Sequence, residues 1–95
     1  RKIKNADIII LFGSILRKKE ANDIDVLLIT NQKKFLKLKE QVEDINLINI
    51  KKLHPIYQSE KDVKVNIKRG DKVVLSAIKG IVAFGEDKII DLFEK

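Results

Sequence analysis

Residues 8–29 read IIILFGSILRKKEANDIDVLLI. Two apolar runs flank a basic, polar stretch. The first is made of β-branched and large apolar residues and stops at Gly13-Ser14. The second opens on Asp23-Ile24-Asp25 and continues as VLLI. Unbroken rather than alternating hydrophobicity in runs this short describes strands covered on both faces. Two such strands need helices above and below them. The expected fold class is therefore α/β, a mixed β-sheet with helices packed on it.

Working outward, Asp7–Phe12 is predicted as one strand and Ile24–Thr30 as another. Ser14 suits the N-cap of a short helix over Ile15–Lys19. Thr30-Asn31 offers a second cap, ahead of a helix over Lys33–Glu43 with Phe35, Leu36, Leu38 and Val42 near helical spacing. INLINI, Ile45–Ile50, reads as a third strand. His54-Pro55 reads as a break, because the residue before proline avoids helical backbone. Ser59 or Asp62 caps a helix running to about Arg69 and ended by Gly70. Asp71 caps the next, with Val73, Val74, Leu75 and Ile78 inward and Gly80 as its stop. Ile81–Phe84 is a short strand, and Glu86–Glu94 a terminal helix.

Ninety-five residues, 44% of them hydrophobic, amount to a single domain, 1–95. A chain that starts on Arg1 and contains no methionine reads as a domain excised from a longer protein. The absence of cysteine excludes a disulfide framework and a thiolate metal site. The apolar runs are too short to span a bilayer, and no signal-peptide pattern is present, so a cytoplasmic protein is expected. Twenty basic against 14 acidic residues give a net charge of +6. That charge suits a polyanionic ligand such as a nucleotide, RNA or DNA, but a Lys-rich composition has the same effect without any ligand.

The chemistry is concentrated in the opening stretch. Successive side chains of a strand point to opposite faces, so Asp23 and Asp25 share one face, about 7 Å apart. Nothing in folding calls for two carboxylates at the mouth of a buried strand. A divalent cation does: Mg²⁺ takes one or two carboxylates and completes its shell with water and phosphate oxygens. Two such ions, about 3.5–4 Å apart, clamp the attacking and leaving oxygens of an in-line displacement. Gly13 lets backbone approach a ligand with no Cβ in the way. The Ser14 hydroxyl and the amides that follow it can hold a phosphate, and Arg17 reaches the same anion from one turn further on.

LFGS followed by DIDVLLI resembles the signature of the DNA polymerase β-like nucleotidyltransferase superfamily, and specifically its minimal nucleotidyltransferases. Gly13, Ser14, Asp23 and Asp25 match the Gly-Ser and Asp-x-Asp of that pattern. Arg17 matches a basic residue usual in the loop, and Asn22 stands where the family often has serine. GIVAFGED, Gly80–Asp87, is similar to the ending common in these small proteins. The resemblance implies a nucleotidyltransferase fold that moves a nucleoside monophosphate from an NTP, ATP first, to a hydroxyl. It implies Mg²⁺ or Mn²⁺ on Asp23 and Asp25, and the triphosphate on Gly13, Ser14 and Arg17. Many such proteins resemble antitoxins paired with a helical HEPN-type toxin, and an upstream domain is the other expected partner.

The chain departs from the pattern in three places. The loop Ile15–Asn22 is two residues short of the usual form, and Lys18 replaces a frequent glycine. The family's third carboxylate sits on the next core strand, and on the reading of Ile45–Ile50 as that strand its place is taken by Asn46. Asp44, two residues earlier, would face the same side. Two further readings therefore stay open. One is a catalytically degenerate nucleotide- or partner-binding regulatory module; the other is a basic nucleic-acid-binding domain. His54, the sole histidine, is expected in a surface loop, and Tyr57 in packing rather than against a nucleobase. The lysine pairs are expected at solvated helix ends, where they complement the helix dipole.

Overall fold

The computed structural model describes residues 3–13 and 23–89. Ser14, Arg17, the helix expected over Ile15–Lys19 and the part of the expected terminal helix beyond residue 89 lie outside the described residues.

The described elements run β1 (Ile8–Phe12), β2 (Asp23–Ile29), α1 (Gln32–Ile48), β3 (Lys52–Gln58), α2 (Glu60–Lys68), α3 (Lys72–Ile78) and β4 (Ile81–Phe84). A further helical turn spans residues 86–89. The four strands form one mixed sheet in the order β3-β2-β1-β4. β1 is antiparallel to β2, from Ile8↔Ile29 to Phe12↔Asp25. It is also antiparallel to β4, whereas β2 and β3 are parallel. A parallel pair requires a crossover, and α1 supplies it.

The continuous apolar runs are central strands, buried on both faces. On one face Ile8, Ile10, Phe12, Leu27 and Ile29 pack against Val63 of α2 and Val74 and Ala77 of α3. On the other Ile9, Val26 and Leu28 pack against Leu38 and Val42 of α1, with Ile3 and Ala6 alongside. Val26, Leu27, Leu28 and Ile29 are each at most 1% exposed. The result is three layers: α1, the sheet, and α2 with α3.

The capping signals hold. Asn31 caps α1, its side chain accepting from Lys34 N–H at 3.1 Å. Ser59 and Asp62 form a reciprocal capping box on α2. Asp71 caps α3 through Val74 N–H at 2.9 Å. Gly70, with φ +72°, ends α2 in the left-handed conformation, and its N–H and that of Asp71 satisfy the carbonyls of Ile67 and Asn66.

The third strand is displaced from its expected place. Ile45–Ile50 is not a strand: α1 continues through Ile48 and caps on Asn49. Leu38, Val42 and Ile45 make one continuous helical stripe on the sheet, and that burial outweighs the β-propensity of INLINI. Leu47, Ile48 and Ile50 are accordingly exposed. Leu36 and Val73, expected inward, are 70% and 51% exposed. They lie off the stripes that their helices bury.

The strand that follows is KLHPIYQ, and it runs through the expected break at His54-Pro55. Proline is tolerated because β3 is an edge strand. Gln58 presents its carbonyl to Thr30 N–H of the β2 side at 2.9 Å. By alternation, Lys52, His54 and Ile56 also present their backbone to β2, and Leu53, Pro55 and Tyr57 present theirs outward. The missing N–H of Pro55 thus breaks no ladder bond.

Candidate active site

The site lies at the end of β1 and the beginning of β2. Because Phe12 pairs with Asp25, the antiparallel register brings Gly13 beside the carboxylate of Asp25. Gly13 has φ +76°, and a Cβ built on it would meet Asp25 Oδ2 at 2.1 Å. The carboxylate occupies the space that any other residue at position 13 would fill. Glycine is required there twice over, by backbone conformation and by contact.

Asp23 and Asp25 share the sheet face that carries Phe12 and Leu27. Phe12 and Leu27 are buried beneath α2 and α3, whereas the strand opens to solvent at its start: Asp25 is half-buried and Asp23 exposed. This is the placement expected from sequence, two carboxylates on one face with Ile24 on the other. Ser14 and Arg17 belong to the same expected site and lie outside the described residues.

The parallel pairing sets Lys52 opposite Asp23 and His54 opposite Asp25, on the same face. Lys52 is not the partner of Asp23. Its ammonium donates to the carbonyls of Asn46 and Asn49 at the end of α1, the latter at 2.7 Å, where a cation complements the helix dipole. His54 is the partner: its Nε2 is 3.5 Å from Asp23 Oδ1. Among the described residues, Asp25 forms no ion pair. His54 was expected in a loop, because proline was read as ending the run. The usable signal was slight: Ile56-Tyr57, two strand formers just ahead of the Ser59 cap.

The expected position of the third carboxylate is corrected with the strand. Asn46 sits on α1, not beside Asp25. Its Nδ2 donates to Leu53 O at 3.0 Å and its Oδ1 accepts from Leu53 N–H at 2.7 Å. It fastens the outward backbone of β3 to the helix. Asp44 lies exposed on the same helix and does not complete the pair either. Among the described residues, no group of three or more His, Cys, Asp or Glu side chains could hold a metal ion by itself.

A groove of about 300 Å³, lined in part by Thr30, Phe35, Tyr57 and Ser59, lies elsewhere. It sits at the carboxyl ends of β2 and β3, six strand residues or about 20 Å from Asp23. Tyr57 packs edge-on to Phe35 there, with ring centroids 5.1 Å apart. The carboxylates and Gly13 are at the other end of the sheet.

A mixed sheet with helices on both faces, and Asp-x-Asp on the strand beside a glycine-ended one, is the architecture of the DNA polymerase β-like superfamily. The family model described as nucleotidyltransferase domain matches residues 2–89, and the chain belongs to that family. No curated protein and no solved structure matches the chain. No helix among the described residues is long and apolar enough to cross a membrane.

Proposed function

We propose that this domain transfers a nucleoside monophosphate from an NTP, ATP first, to a hydroxyl of a protein or nucleic-acid acceptor. The observation that carries the reading is the packing of the Asp25 carboxylate on the α-carbon of Gly13, with Asp23 on the same open face. Two solvent-accessible carboxylates fit a hard divalent cation, Mg²⁺ or Mn²⁺, and leave its remaining positions to water and phosphate oxygens. When bound, the cation supplies charge neutralisation on the phosphate oxygens.

Asp23 and Asp25 hold it. The backbone at Gly13, with the Ser14 hydroxyl and Arg17, orients the triphosphate. The acceptor oxygen forms its bond to the α-phosphorus as the bond to the bridging oxygen breaks, and pyrophosphate leaves with that electron pair. The acceptor proton passes to solvent or to a neighbouring base.

The test is transfer of label from α-³²P-ATP to candidate acceptors, with Asp23→Asn and Asp25→Asn as controls. Each substitution is expected to lower transfer by about 10²-fold or more, several kcal/mol of transition-state stabilisation. Label transfer that survives both substitutions, or wild-type protein inert with every NTP, sinks the catalytic reading.

A second reading, a nucleotide-binding regulatory module without turnover, is favoured by the lack of a third carboxylate among the described residues. It predicts tight ATP–Mg²⁺ binding by calorimetry and no label transfer. The exposed Leu47, Ile48 and Ile50 at the end of α1 support a protein partner. The helical HEPN-type toxin implied by resemblance is the first to try by co-purification.

A further inference from the structure

The groove at the carboxyl ends of β2 and β3 plays no part in the nucleotidyltransferase reading. Its position follows from the topology. β2 leads into α1, whose Leu38 and Val42 cover one face of the sheet, and β3 leads into α2, whose Val63 covers the other. The chain thus leaves two adjacent parallel strands towards opposite faces. Such a switch point opens a crevice outside the strand ends, the usual place for a small ligand in an open α/β sheet. At about 300 Å³ the crevice stands at the lower end of the ligand-pocket range. Phe35 and Tyr57, packed edge to face, give it an aromatic wall.

The polar groups around those rings suit a neutral ligand. None of the described residues lining the groove is a lysine, arginine or histidine. The helix starts are already engaged, Asn31 Oδ1 accepting from Lys34 N–H and Ser59 Oγ from Asp62 N–H. Asn66 donates to Gln58 Oε1 at 2.8 Å, which leaves Gln58 Nε2 as a donor for a ligand. Asp62 accepts Ser59 N–H on Oδ2 and keeps Oδ1 as an acceptor. The Gln32 amide, a donor and an acceptor side by side, has no protein partner among the described residues. We propose that this crevice binds an adenine ring, presented as a free nucleoside. Glutamine pairs with adenine through two hydrogen bonds, at N6 and N7, whereas guanine is read by arginine or lysine. Aromatic side chains add the surface on which a base stacks. A nucleic-acid strand would call for cations that this lining lacks. The crevice lies about 20 Å from Asp23, so the proposal is independent of the carboxylates and of any metal they hold.

The chain has a single tyrosine, and it lines the crevice, so its ring resonances report on the site without assignment by mutation. Adenosine is titrated, without metal, into wild type, Gln32→Ala and Asp25→Asn. The Tyr57 ring and the glutamine side-chain amides are followed by NMR, and folding is checked by backbone amide spectra. We expect adenosine to move the Tyr57 ring and the Gln32 and Gln58 amides together. We expect affinity to fall about tenfold or more in Gln32→Ala, and by as much for inosine, which carries a carbonyl in place of the amine. Asp25→Asn is expected to bind adenosine as wild type does, and AMP and oligoadenylate to bind no tighter than adenosine. A Tyr57 ring that adenosine leaves unmoved overturns the assignment, as does undiminished binding by Gln32→Ala. Binding that is lost in Asp25→Asn places the base at the carboxylates instead and also overturns it. Oligoadenylate bound more tightly than adenosine overturns the choice of a free nucleoside in favour of a strand.

Discussion

Gly13 and Asp25 are a matched pair: the backbone of one makes room for the carboxylate of the other. Replacing Gly13 with alanine forces a Cβ onto a carboxylate oxygen and places an L-residue at φ +76°. The left-handed conformation alone costs about 1–2 kcal/mol. The clash adds to it and turns Asp25 away from its position. Gly13→Ala is therefore expected to lose about 1–2 kcal/mol or more in urea denaturation, and to lose cation affinity beyond what that destabilisation explains. Asn46 offers the opposite case. If it stood in for a lost catalytic carboxylate, Asn46→Asp would raise transfer activity. With its amide clamped to both backbone groups of Leu53, the aspartate instead loses a donor and sets a negative charge against a carbonyl. The expected outcome is a loss of about 1–3 kcal/mol and no gain in label transfer.

At the level of elements, the capping chemistry is strong enough to be read residue by residue. Ser59 with Asp62 starts α2, Asp71 starts α3, and Gly70 separates them, each for a local reason that sequence states directly. Ser59→Ala removes the acceptor for Asp62 N–H and is expected to cost about 0.5–2 kcal/mol in thermal or chemical unfolding. The paired carboxylates and the glycine turn were legible in the same way, because strand alternation fixes a shared face. The third strand was not. INLINI and KLHPIYQ differ in which one the sheet can use, and that depends on how far α1 must run to bury Ile45 against the sheet. Position along an edge decides whether a proline is tolerated, and an edge is a property of the assembled sheet rather than of seven residues. The error carried His54 with it: a residue assigned to a loop stands opposite Asp25 in the register.

For the molecule as a whole, three layers place the ordinary core away from the site and leave, among the described residues, a half-buried titratable group with a consequence. The Tyr57 phenol is held above its ordinary value of 10.0, first by burial and then by the negative charge of Glu43. Above the unfolded value the native state keeps a proton that the unfolded chain has lost, so stability falls as pH rises through that range. Tyr57→Phe removes this contribution. Urea denaturation from about pH 9 to 11 is expected to show wild type losing stability more steeply than Tyr57→Phe. Parallel slopes for the two proteins contradict it.

The outward side of β3 carries a final consequence, for association rather than chemistry. Leu53 has both backbone groups taken by Asn46, and Pro55 has no N–H to offer. A neighbouring chain laid along this edge would find successive outward-facing positions unable to donate. The opposite edge, β4, is four residues long. Strand addition, the commonest route by which a sheet recruits a foreign segment or its own copy, is thus obstructed at one border and brief at the other. Among the described residues, the helices and the open mouth of the sheet offer a partner more room than either edge.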